Sequence, residues 1–270
     1  MLDQTLELLQ VVPGKRYVDA TYGMGGHSKA IANQGGKVLA LEWDKDSFTS
    51  RLAELDTESI TLVHANYADI ESVAVKHDFV PVDGVLFDYG LSMWQIRDSQ
   101  RGFSYENDEE VLDMRIDSSL IHTASDIVNS YSEDELYEIF TRNAEEINSR
   151  AIAHALVQSR RVAQIQTVGE LKKVLASVSK DTSTVSRIFQ ALRIEVNHEY
   201  ENISQGLRGA YNILVPGGRM VTITFHPSED RLVKRWARDN NVQSSKKALK
   251  STSGRSFERS ALLRVMTKQS

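Results

Sequence analysis

Short apolar runs alternate with longer amphipathic stretches through the first 90 residues, and this alternation predicts βαβ units around a parallel sheet. Tyr17–Ala20, Val38–Leu41, Ile60–Val63 and Val82–Asp88 read as its strands, each ending near a polar or acidic residue. Ligands of an open parallel sheet gather beyond the carboxyl ends of the strands. Asp19, Glu42, Asp44 and Asp88 are therefore expected along one rim.

From Asp98 to Val185 the pattern turns helical, with Ser132-Glu133-Asp134-Glu135 and Thr167-Val168-Gly169-Glu170 each spelling a capping box. Residues 98–185 thus read as a helical subdomain inserted into a sheet domain made of 1–97 and 186–270. Ile188, Leu192, Val196, Ile203, Leu207 and Leu214 recur at helical intervals, which predicts one long amphipathic helix stopped by Pro216-Gly217-Gly218. Arg219–Phe225 is then a strand, Ser228–Asp239 a helix and Ser260–Met266 a last strand.

Composition narrows the class. With 41% hydrophobic and 26% charged residues, a chain of 270 can bury a core without staples. The absence of Cys excludes a disulfide scaffold, a thiolate-bound metal and a Cys nucleophile, and the seven His show no ligand spacing, so no metal is expected. No run approaches the roughly 18 apolar residues of a membrane span. Met1-Leu2-Asp3 opens no basic, apolar signal segment, and a soluble protein of the cytoplasm, with no membrane partner, is the expectation. The net charge of −5 is unevenly spread: residues 231–270 carry eleven basic and two acidic residues, leaving −14 on residues 1–230. Such asymmetry points to a nucleic-acid contact or to a solvated tail.

The strongest local signal is Val18-Asp19-Ala20-Thr21-Tyr22-Gly23-Met24-Gly25-Gly26-His27-Ser28, a strand followed by a glycine-rich turn into a helix. Its glycines let backbone approach a ligand. It lacks the dinucleotide spacing and the Walker lysine. Glu42, just past the second strand, is the acceptor a ribose diol asks for. Asp88, at the end of the fourth strand before Gly90, either orients an amine or caps the next helix. Arg101-Gly102-Phe103-Ser104-Tyr105 and Leu112-Asp113-Met114-Arg115-Ile116-Asp117 combine Arg with aromatic residues, a pairing able to hold an unstacked base, or are solvated loops. In Phe225-His226-Pro227-Ser228-Glu229-Asp230-Arg231, a cap at Ser228 and first-turn acids account for the helix start without His226, which stays a candidate for substrate contact or proton handling.

Taken in order, these blocks, together with Arg187–Ile194, Val196-Asn197, Pro216-Gly217-Gly218-Arg219 and Arg259-Ser260-Ala261 with Leu263-Arg264, resemble the bacterial small-subunit ribosomal RNA cytosine-N4 methyltransferases, the MraW or RsmH family. The resemblance implies a class I, Rossmann-like methyltransferase sheet with an inserted helical domain and S-adenosylmethionine as cofactor. It implies as target the exocyclic N4 of a cytidine in the decoding region of 16S rRNA, within the small ribosomal subunit. By position it places Gly25, Gly26 and His27 at the methionine end of the cofactor, Glu42 at the ribose, Tyr67 beside the adenine, and Asp88 and Gln95 around the pocket. The family usually carries Asp where Glu42 stands, and Ser92-Met93-Trp94-Gln95 and His226-Pro227 depart from its usual wording.

Methyl transfer to an amine is an in-line displacement in which the protein mainly aligns the reacting atoms. Asp88 is the first candidate for accepting the amine hydrogen, and His226 the second, while Arg101, Phe103, Arg115 and the basic tail are candidate RNA contacts. An amino-methyltransferase on another RNA or DNA, or a cofactor-binding ribosome assembly factor without turnover, are the competing readings.

Overall fold

The computed structural model describes residues 1–55, 58–245, 248–250 and 260–269. Arg259 of the Arg-Ser-Ala block and Lys246, Lys247, Arg255 and Glu258 of the tail lie outside the described residues. The chain forms two compact units, Met1–Gly90 with Tyr200–Ser270, and Leu91–Glu199.

The first unit runs α1 (Leu2–Leu9), β1 (Arg16–Asp19), α2 (Gly26–Asn33), β2 (Lys37–Glu42), α3 (Lys45–Ala53), β3 (Ile60–His64), α4 (Ile70–Lys76) and β4 (Val82–Asp88). The second holds α5 (Met93–Arg97), α6 (Ala124–Ser130), α7 (Glu133–Ala144), α8 (Ser149–Ser159), α9 (Val168–Val178) and α10 (Thr182–Asn197). The first then resumes with α11 (Glu199–Ile213), β5 (Leu214–Thr224), α12 (Pro227–Asp239), β6 (Gln243–Ser244), β7 (Leu249–Lys250) and β8 (Leu262–Thr267).

Among the described residues eight strands form one sheet in the order β3-β2-β1-β4-β5-β8-β6, with β7 also paired to β8. Strands β1 to β5 are mutually parallel, and β8 is antiparallel to β5, β6 and β7. This is an open, Rossmann-like α/β sheet, and the order reverses at β1, whose neighbours are β2 and β4. Alternation along the strands supplies both cores. Val18, Leu39, Leu41, Val85 and Phe87 bury one face with α4, α11 and α12, whereas Tyr17, Val38, Ala40, Leu86, Val221 and Ile223 bury the other with α1 and α2.

The expected long helix over 188–214 is two helices. Asn197, fully buried, donates to the carbonyls of Arg193 and Met114 and accepts from the Ile116 amide, and His198 then turns left-handed (φ 50°, ψ 40°) to end α10. His tolerates that region better than most side chains. Helix α10 consequently packs Ile188, Leu192 and Val196 into the helical core, while α11 packs Ile203, Leu207 and Ala210 on the sheet. The units divide at Gly90/Leu91 and Glu199/Tyr200, against the expected 97/98 and 185/186. Pro216-Gly217-Gly218 also does something other than expected. It lies within β5 as an irregularity, so that Val82 faces Leu214 but Gly84 faces Arg219, with Gly217 at φ +79°.

Candidate active site

The glycine turn joins β1 to α2 at the switch point of the sheet, so its conformation decides what the rim can hold. Gly23 and Gly25 adopt φ +52° and +75°. A Cβ on Gly25 would meet the Tyr22 ring at 2.6 Å and sit at a positive φ, so a side chain there would strain the turn. At Gly26 a Cβ would meet nothing within 4 Å. The two neighbouring glycines therefore serve different ends: Gly25 shapes the turn, and Gly26 leaves open space at the start of α2.

Asp19, at the end of β1, is fully buried; it accepts from Ser28 Oγ at 2.6 Å and from the Thr21 amide at 3.2 Å. Burial raises its pKa to about 6 against the opposing pull of His27 and its two donors. Thr21 Oγ1 in turn accepts from the Asp88 amide at 2.7 Å, tying the turn to the end of β4. The half-buried imidazole of His27 lies with Nε2 3.5 Å from Asp88 Oδ2. Burial pulls the His27 pKa down, but the hydrogen bond and charge of Asp88, with Asp19 behind it, outweigh that and raise it. Among the described residues His27 Nδ1, Asp88 Oδ1 and the Tyr89 hydroxyl are buried without a hydrogen-bond partner. Native proteins rarely leave such groups unmatched.

Asp88 does not cap the following helix, because Ser92 does. Glu42 is almost fully buried and accepts from Gly23 N at 3.0 Å, Asp44 N at 2.9 Å and Ser47 Oγ at 3.3 Å, while burial raises its pKa to about 7. Asp44 is committed to capping α3 through the Asp46 and Ser47 amides. Tyr67 sits half-buried in the turn after β3, edge-on to Phe87 and Tyr89 with ring centres 6.0 and 5.6 Å away.

His226 has a structural task that the sequence reading missed. It is itself the cap of α12, its Nδ1 receiving the Ser228 amide at 3.4 Å and lying 2.6 Å from Ser228 Oγ, while Glu229 reaches back to the His226 amide at 3.1 Å. The reason is Pro227 at the first helical position, which lacks an N–H and leaves Ser228 as the next donor to be met.

In the second unit, Gln95 is buried and closes a capping box with Ser92. Arg115 grips Asp113 with two bonds of 2.8 Å and donates to the carbonyls of Ser118 and Leu120. Arg101 donates to the carbonyls of Arg115 and Ile116 and lies 5.6 Å over Trp94. Phe103 packs half-buried on the helical core. Donors of both arginines, the candidate RNA contacts of the sequence, thus bond within the unit, to the Asp113 carboxylate and to carbonyls of residues 115–120. The role of Asn197 in locking Met114 and Ile116 carried no local signal, since those two partners are more than 80 positions away.

Comparison with known proteins agrees with this architecture. The MraW methylase family matches residues 1–270. The ribosomal RNA small subunit methyltransferase H of Desulfotalea psychrophila is 39% identical, with 99% of this chain and 96% of that protein covered. Its namesake in Thermomicrobium roseum is 41% identical over 88% of this chain and 76% of that protein. The chain belongs to the MraW methylase family.

Proposed function

We propose that this protein is an S-adenosylmethionine-dependent methyltransferase that modifies the exocyclic N4 of a cytidine in the decoding region of 16S rRNA, acting on the small ribosomal subunit. The observation that carries the reading is the rim of the first unit. There Gly26 leaves open space, and the buried, unmatched polar atoms of His27, Asp88 and Tyr89 stand where strands β1 and β4 end.

These residues fit the cofactor. Gly25, Gly26 and His27 would receive its methionine end, the α2 N-terminus offering amides to the carboxylate. Glu42 would accept from the ribose hydroxyls, and Tyr67 would flank the adenine. Asp88 would border the reacting centre. When bound, S-adenosylmethionine supplies an electrophilic methyl group on a sulfonium.

The chain's own part is orientation and proton handling. Thr21 fixes the Asp88 backbone, and His27 holds Oδ2, so the carboxylate is aimed before substrate arrives. As the cytosine N4 forms its new bond to carbon it must shed a proton, and Oδ1 of Asp88, unmatched in the fold, is the acceptor. His226 caps the start of α12. The target base has to be unpaired or extruded to expose N4.

The test is transfer of tritiated methyl from the donor to 30S subunits lacking the modification, followed by nucleoside digestion. Label in N4-methylcytidine is the expected result. Donor binding without transfer would support an assembly factor, and label in another nucleoside a different target.

A further inference from the structure

We infer that the exposed face of α12 is the ridge on which the enzyme seats an RNA phosphate backbone. This inference rests on the rRNA reading above. Arg231, Lys234, Arg235 and Arg238 are all exposed and fall at i, i+3, i+4 and i+7, which gathers four cations on one side of the helix. From first to last they extend over about 10 Å at a rise of about 1.5 Å per residue. The opposite side holds Glu229, Asp230, Val233 and Ala237, all buried. Asp230 is neutralised there by Arg264, with bonds of 2.5 and 3.1 Å, so this acid does not offset the exposed charge.

Elsewhere Arg142 pairs with Glu195, Arg150 with Asp134, and the half-buried Lys172 with Asp108. On α12, Arg238 meets Asp239 at 2.9 Å, whereas Lys234 and Arg235 make no ion pair among the described residues. Beside the ridge, Trp236 meets Tyr211 edge-on at 6.0 Å, and Lys268 reaches over the Tyr211 ring at 5.4 Å, adding a further cation from the end of β8.

Four exposed cations on one face of a helix, two of them without an ion pair among the described residues, fit a polyanion. A membrane surface is disfavoured by the same geometry, since a helix lying in a bilayer interface needs a free apolar face. Here that face is occupied: Val233 and Ala237 are buried in the sheet core. Contacts of this kind would position the RNA without reading its sequence.

The experiment uses the full chain and protein-free 16S rRNA, titrated by fluorescence anisotropy between about 50 and 300 mM salt. Two double variants are compared with wild type: Lys234→Gln with Arg235→Gln, and Lys234→Glu with Arg235→Glu. The Gln pair preserves most of each side-chain stem and guards against a folding defect. Removing two phosphate contacts should make the slope of log affinity against log salt shallower by about two, and weaken binding on the order of tenfold near physiological salt. Donor affinity by calorimetry should stay at the wild-type value. Wild-type RNA affinity and slope in the Gln pair would overturn the inference, as would a loss confined to phosphatidylserine vesicles. If wild type transfers methyl to 30S subunits while the Gln pair binds RNA normally, the ridge alone is refuted. If wild type neither transfers methyl nor binds rRNA, the underlying functional reading fails instead.

Discussion

His27 Nε2 stands 3.5 Å from Asp88 Oδ2, so the first turn of α2 and the last residue of β4 meet through an imidazole and a carboxylate. The contact crosses the two strands on either side of the point where the sheet order reverses, which is where an open α/β sheet holds its ligands. It leaves the second carboxylate oxygen buried and unmatched.

Replacing Asp88 by Asn keeps the side-chain volume and the hydrogen bond from its backbone amide to Thr21 Oγ1 but removes the proton acceptor. Single-turnover methyl transfer at saturating donor should fall by roughly 10²- to 10⁴-fold. The melting temperature should move by only a few degrees. A rate within tenfold of wild type would remove Asp88 from proton transfer.

The two neighbouring glycines should fail in different ways. Gly25→Ala forces a Cβ against Tyr22 at a positive φ and should cost roughly 1–3 kcal/mol of folding stability. Gly26→Val has room in the fold and should melt like wild type, yet lose donor binding by calorimetry. Wild-type donor affinity in Gly26→Val would displace the proposed cofactor site.

Glu42 predicts a pH dependence of stability. Burial raises its pKa from 4.5 to about 7, so the folded chain holds this proton more tightly than the unfolded one. Its contribution is therefore complete below about pH 4.5 and is lost as pH rises through about 7. Urea unfolding at intervals from about pH 5 to 8 should show wild type losing stability more steeply than Glu42→Gln. Parallel profiles would contradict the assignment.

Arg115 should behave as a loop clamp. Arg115→Ala strands the carbonyls of Ser118 and Leu120 and unpairs Asp113, and should lower stability by about 1–3 kcal/mol. The salt dependence of rRNA binding should not change. A shallower salt slope with an unchanged melting temperature would restore Arg115 as a phosphate contact.

Much of the sheet was legible because strands buried on both faces are written as continuous apolar runs, and β1 to β4 fall where those runs stand. The capping boxes at Ser132 and Thr167 were equally plain, since cap and partner lie three residues apart. What could not be read depended on distant partners. The break at His198 follows from Asn197 bonding to a loop far upstream, and the hydrophobic periodicity on either side continues through it. Arg101 and Arg115 looked available because sequence shows a charge but not the carbonyls that capture it. His226 looked dispensable to its helix because a capping imidazole is uncommon beside the usual Ser, Thr, Asp or Asn.

The most direct test of the central claim is a crystal structure of the protein grown with S-adenosylhomocysteine. The account predicts the ligand against Gly26 and His27, its ribose hydroxyls on Glu42 and its sulfur facing Asp88. Ligand bound elsewhere, or that crevice filled by the protein's own side chains, would contradict it.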